Sequence, residues 1–130
     1  MHIAVPSLLI TDDDRDFRES LRSIFETRGF RTLLAQDGQE AVEIVAQEEV
    51  HLLLVDMHMP RLSGLDVLRR VQSLPVAVPS ILMSAAMDPL IEAEAMRACA
   101  FSVLSKPFPL REITNLVSAA MWKFYHWPAH

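Results

Sequence analysis

Four apolar residues in a row, Leu52-Leu53-Leu54-Val55, follow the polar Gln47-Glu48-Glu49 and run out at Asp56. A run this short and this uniformly apolar reads as a strand buried on both faces, the kind found in parallel sheets covered by helices. Pro60 ends regular structure soon afterwards. In open α/β sheets ligands bind outside the carboxyl ends of the strands, so Asp56 stands where chemistry is placed. The plainer alternative is an acid that opens a turn or caps the next helix.

The rest of the chain repeats the pattern. Ser7 to Thr11 is a first apolar strand, cut off by Asp12-Asp13-Asp14. Phe17, Leu21, Ile24 and Phe25 then recur at helical spacing, with Gly29 placed to stop the helix. Arg31 to Ala35 is a second strand, closed by the Asp37-Gly38 turn signal, and Ala41, Ile44 and Val45 mark a second helix. Leu52 to Asp56 is the third strand; after the loop from Met57 to Gly64, Leu65, Leu68 and Val71 mark a third helix. Ser80 to Ser84 is a fourth strand, and Asp88-Pro89 starts a helix toward Ala98, with Asp as N-cap and Pro at the first helical position. Ser102 to Ser105 is a fifth strand, stopped by Lys106-Pro107. Pro109 opens a last helix whose expected inward face is Leu110, Ile113, Leu116, Val117 and Ala120, with Phe124 as a further candidate. Five strands alternating with five helices predict a doubly wound α/β domain with right-handed crossovers, occupying the whole chain and leaving no room for a second DNA-binding or catalytic domain.

Composition narrows the function. A 130-residue chain can bury one good core. Its net charge of -5 argues against broad contact with nucleic acid, which needs Lys and Arg to neutralise phosphates. The single cysteine, Cys99, excludes an internal disulfide framework and supplies no metal site alone; it is expected to be a small, partly buried residue. Reducing cytosol is the expected compartment. Met1 to Pro6 lacks the pattern of a secretory signal, and no apolar run approaches the roughly 20 residues that span a bilayer.

Parallel strands bring their carboxyl ends to one edge. Asp12 and Asp13 stand at the first, Asp56 at the third, Ser84 at the fourth and Lys106 at the fifth. Three carboxylates held close raise one another's pKa unless a cation relieves them, and a hard oxygen-seeking ion such as Mg²⁺ suits that role. Lys106 adds a point charge suited to phosphate and Ser84 adds a hydroxyl. Together they make a site for phosphoryl transfer, a reaction carried mainly by positioning and charge neutralisation, in which an Asp can be the nucleophile. Asp14 and Asp16 suit the positive end of the first helix dipole. The His58 imidazole is expected to face solvent over the pocket, and Met57, Met59, Met83 and Met87 to fill core or loop space.

Taken in order, Leu8 to Asp14, Leu53 to Pro60, the Ser63-Gly64 turn, Ile81 to Ala85 and Leu104 to Phe108 resemble the receiver domain of bacterial two-component response regulators. The likeness runs from about Leu8 to Leu116 and implies a flavodoxin-like (βα)5 fold with strand order 2-1-3-4-5 in a single domain over 1–130. The core would occupy about 7–118, with an aromatic extension of the last helix at 119–130. It implies that Asp56 is a phospho-acceptor charged by a sensor histidine kinase or histidine phosphotransfer protein. Asp13 would bind Mg²⁺ directly, Asp12 largely through water, and the backbone carbonyl of His58 would be a further ligand beside Asp56. The acid pair is read as Asp12/Asp13 because the strand ends at Thr11. Ser84 and Lys106 would contact the phosphoryl oxygens, Ala85 would leave room for the group, and the Lys106-Pro107 bond would be cis. The implied function is a cytoplasmic signalling switch that catalyses only its own phosphorylation and dephosphorylation. It would act on a downstream protein, and could dimerise through the fourth helix, fifth strand and fifth helix, without direct contact to nucleic acid or membrane.

The sequence departs from the family pattern in three places. Val103 stands where the family often has an inward-turning Tyr or Phe, leaving Phe101 as the nearby aromatic substitute. Cys99 stands where a glycine is common; a positive φ there would strain a cysteine, so a different loop shape is expected. Ser84 replaces the commoner Thr. The aromatic tail Trp122 to Trp127 leaves two readings, a partner or self-association surface or local packing over the last helix. Two other functions stay open: a phosphorylation-independent interaction module, and a small Mg²⁺-dependent phosphatase, which usually carries a second acid where His58 stands.

Overall fold

The structure, a computed structural model, describes residues 3–128; the two residues beyond at each end of the expected 1–130 domain lie outside the described residues. In chain order the elements are β1 (Ser7–Thr11), α1 (Arg15–Glu26), β2 (Arg31–Ala35), α2 (Gly38–Gln47), β3 (Leu52–Asp56), α3 (Gly64–Gln72), β4 (Ser80–Ser84), α4 (Pro89–Arg97), β5 (Ser102–Ser105) and α5 (Leu110–Tyr125). All neighbouring strands pair in parallel in the order β2-β1-β3-β4-β5, which is the expected topology.

β1, β3 and β4 are buried along their whole length, while β2 and β5 are edges and partly exposed. Alternation along the central strands divides the core into two layers. Leu9, Leu53, Val55 and Leu82 face α2, α3 and α4, packing with Ala41, Val45, Leu68 and Ala95. Leu8, Ile10, Leu52, Leu54, Ile81 and Met83 face α1 and α5, packing with Leu21, Phe25, Ile113 and Val117. The continuous apolar run of β3 is therefore explained by two covered faces.

Side-chain caps set where α1 to α4 leave the sheet, while α5 starts after Pro109 without one. Asp14, Asp37 and Asp88 accept the N–H groups of Phe17, Glu40 and Ile91 at 3.2, 2.8 and 2.8 Å. Ser63 and Asp66 form a reciprocal capping box at the start of α3. Gly29, at φ 94°, turns the chain from α1 into β2.

The last helix differs in detail from its expected face. Ile113, Val117 and Ala120 are buried as expected, but Leu110 and Phe124 are each 48% exposed, and Thr114 and Met121 take the inner positions. Thr114 satisfies its hydroxyl by donating to the carbonyls of Leu110 and Arg111, both at 3.1 Å, so a polar residue fits the buried stripe. The tail divides between its two readings. Trp122 is exposed, whereas Trp127 turns back onto Phe30 with ring centroids 5.0 Å apart. The Tyr125 hydroxyl donates to the carbonyl of His51 at 2.6 Å, and burial, reinforced by the charge of Glu49, pushes the phenol up to about 12. Cys99 is exposed rather than partly buried. The loop does not avoid the left-handed region there: Cys99 adopts φ 64°, and its Sγ accepts from Gln72 Nε2 at 3.1 Å.

Candidate functional site

The carboxyl edge of the sheet gathers side chains from four strand ends. Asp12 follows β1 and is buried, with 1% of its surface exposed. Its Oδ1 accepts the N–H of Asp14 at 2.9 Å and its Oδ2 accepts from Lys106 Nζ at 2.6 Å. The same Nζ lies 3.1 Å from Oδ1 of Asp56, so one ammonium bridges two carboxylates from β1 and β3. Lys106 is oriented by its own N–H, which donates to the carbonyl of Ser84 at 2.8 Å, and the Lys106-Pro107 bond is cis as expected. Asp13 is exposed, yet it, Asp12 and Asp56 can each present a carboxylate oxygen within 4.8 Å of the others. Three hard oxygen donors that close fit one small divalent cation such as Mg²⁺.

Electrostatics follow from that crowding. Burial, above all, pushes the Asp56 carboxyl above its ordinary range; the charges of Asp12 and Asp13 add to this, and the Lys106 contact only partly offsets it. For Lys106 burial works against the charged form, but its bonds and charge attraction to Asp12 and Asp56 win, and its pKa rises. Because Asp56 binds its proton more tightly folded than unfolded, its ionisation opposes folding above the raised pKa, and that penalty fades as pH falls through it. Asp56→Asn is therefore expected to stabilise the metal-free protein at pH 7 by about 1 kcal/mol. Urea unfolding at several pH values checks this: the gain must shrink toward acid, and a variant no more stable than wild type at pH 7 contradicts it.

Sequence reasoning missed three contributors. The Phe17 ring lies 4.2 Å from Lys106 Nζ, Arg18 Nη1 donates to the carbonyl of Asp12 at 2.6 Å, and the His58 ring reaches Ser84. Phe17 and Arg18 occupy the first turn of a helix that begins directly after the acids, which was a usable signal, since such a turn stays beside the strand end. Phe101 does not substitute for an aromatic at position 103. It belongs to the α1/α5 layer, with its ring 5.9 Å from Phe124, while Val103 packs in the opposite layer. Among the described residues, no helix is long and apolar enough to cross a membrane.

A family model described as the response regulator receiver domain matches residues 8–118. Response regulator MprA of Mycolicibacterium vanbaalenii is 41% identical over 115 residues, which cover 88% of this chain and 49% of that protein. Regulatory protein AtoC of Escherichia coli is 33% identical over 118 residues, covering 91% of this chain and 26% of that protein. The chain thus spans about half the length of the first relative and about a quarter of the second. A CheY-like receiver domain protein from Methanospirillum hungatei superposes with TM-score 0.88 at 21% identity, over 92% of this chain and 95% of that one, a likeness of fold. A response regulator receiver protein from Pseudomonas putida does so with TM-score 0.84 at 27% identity, over 90% and 98%.

Proposed function

Because this chain belongs to the response regulator receiver domains of two-component systems, we propose that it is a switch operated by phosphorylation of Asp56. The observation that carries this reading is the Lys106 ammonium set 2.6 Å from Asp12 and 3.1 Å from Asp56, at an edge where three carboxylates converge. An oxygen of Asp56 attacks phosphorus, the bond from phosphorus to the donor nitrogen of a phosphohistidine breaks, and an acyl phosphate forms. The donor is a sensor histidine kinase or a histidine phosphotransfer protein. Lys106 and the Ser84 hydroxyl contact the phosphoryl oxygens, and Ala85 leaves room for them. Asp12, Asp13, Asp56 and the backbone carbonyl of His58 would hold Mg²⁺, which would neutralise the charge carried by the phosphoryl oxygens.

Phosphorylation changes which protein surface is presented to a downstream partner, through α4, β5 and α5, with self-association through the same face. The chain catalyses its own phosphorylation and dephosphorylation and no external reaction, and it works in the cytoplasm. Its acidic charge supports protein rather than nucleic acid as the direct partner.

Intact mass after incubation with acetyl phosphate and Mg²⁺ tests this, beside Asp56→Asn and a metal-free control. A gain of one phosphoryl group that needs both Asp56 and Mg²⁺ is expected. No adduct, and no binding of beryllofluoride, replaces the switch with a phosphorylation-independent interaction module. Steady turnover of an external phosphate ester replaces it with a phosphatase.

A further inference from the structure

The acid pocket has an aromatic wall that the proposed chemistry leaves without a task. Phe17 stands in the first turn of α1, and Nζ of Lys106 lies over its ring, 4.2 Å from the centroid. That is well within the reach of a cation–π contact. The same ring meets Phe108 in an edge-to-face pair with centroids 6.0 Å apart, so it touches two residues of the segment that follows β5. The turn that carries the acids also fixes the ring. Asp12 Oδ1 accepts the N–H of Asp14, Asp14 Oδ1 accepts the N–H of Phe17 at 3.2 Å, and Arg18 Nη1 donates back to the Asp12 carbonyl at 2.6 Å. Asp12 and Phe17 are thus parts of one hydrogen-bonded turn, and both meet the Lys106 ammonium.

The partners of that ammonium differ in what else can claim them. Among the described residues, Asp12 at 2.6 Å and Asp56 at 3.1 Å are its acidic partners, and Phe17 is its aromatic one. On the reading of Asp56 as phospho-acceptor, on which this inference rests, the acids have a second role. The same carboxylates are the ones a divalent ion would take, and Lys106 must turn toward a phosphoryl oxygen. The ring offers no oxygen to a hard cation and no charge for a phosphoryl group to repel. It can hold the ammonium while the acids let go. A lysine left free at that point would lose its order and have to regain it in the transition state, against the rotamer freedom of a long side chain.

We propose that Phe17 is a positioning residue for phosphoryl transfer: its ring face keeps the Lys106 ammonium in place as the hold of Asp12 and Asp56 on it loosens. The property at work is the electron density of the ring, not its bulk. Replacing Phe17 with mono-, di- and trifluorinated phenylalanine nearly keeps the shape and drains that density in steps. Labelling by acetyl phosphate and Mg²⁺, followed by intact mass, is expected to slow in the same steps, by about three- to tenfold at the trifluorinated ring. Phe17→Leu, apolar but without a face, falls at least as far.

Urea unfolding of the metal-free protein reads the contact without any phosphorylation. The midpoint is expected to fall in the same order across the series, and to stay level across it in a Lys106→Met background. A labelling rate that ignores the series overturns the proposal while wild-type labelling stands. An equal fall in midpoint with Lys106→Met also overturns it, because the ring would then act by packing alone. Absence of any wild-type adduct removes the phospho-acceptor reading and this proposal with it, but leaves the urea series to show whether ring and ammonium attract.

Discussion

Lys106→Met is expected to destabilise the metal-free protein by about 3 kcal/mol, the low end for breaking a buried ion pair from one side. The lysine side chain is only 20% exposed and its Asp12 partner 1%, so solvent cannot take over the lost contact. Methionine keeps an apolar chain of similar length, so the loss reports the charge, including its place 4.2 Å over the Phe17 ring. What remains is Asp12 and Asp56 facing each other without the ammonium between them, beside Asp13. Two further signs follow. Added Mg²⁺ should recover part of the loss, because a divalent ion can stand between the same oxygens. Lowering the pH should also narrow the gap to wild type, as the unrelieved carboxylates take up protons. Urea unfolding with and without Mg²⁺ measures all three. A loss below about 1 kcal/mol, the range of an exposed pair, would show that the bridge carries little.

Gly64→Ala is expected to be the second severe change, by about 1–3 kcal/mol, although helix propensity alone favours alanine over glycine by nearly 1 kcal/mol. A Cβ on Gly64 would sit 2.5 Å from the backbone oxygen of Asp56, 2.6 Å from Leu82 Cδ1 and 2.9 Å from Met57 Cα. Leu82 can give way, but the two backbone atoms cannot move without moving Asp56. The start of α3 therefore presses directly on the residue whose position matters most. Misplacement of a reacting group by about 1 Å can cost on the order of a hundredfold in rate. Labelling of Gly64→Ala by acetyl phosphate should accordingly slow by at least about tenfold. A variant as stable and as readily labelled as wild type would mean that the helix start yields without disturbing Asp56.

The strands were legible because their signal is local. Leu52 to Asp56 is apolar on both faces and ends in polar punctuation, and all five strands fall at their expected bounds. The convergence of Asp12, Asp13, Asp56 and Lys106 followed from parallel topology, which puts every carboxyl end on one edge; Ser84 meets Lys106 through its backbone carbonyl. What failed depended on side-chain geometry or on the margins of a helix. Leu110 and Phe124 keep the right period but lie beyond the width of the sheet's cover, while Thr114 enters the stripe because its hydroxyl bonds back to its own helix. Phe101 precedes β5, where alternation does not yet apply, so its layer could not be read by counting from Val103. The His58–Ser84 bond joins a loop to a strand end, and no spacing rule announces it.

The bridge at the heart of the pocket joins residues 94 positions apart. β1, which carries Asp12, lies inside the sheet between β2 and β3, and β5, which leads to Lys106, is the last strand made and an edge. Synthesis delivers the acids long before the cation. A chain ordered only through β4 holds three crowded carboxylates and no lysine to quiet them. On the reading of Asp56 as phospho-acceptor, the pocket is therefore complete only once β5 has joined the sheet.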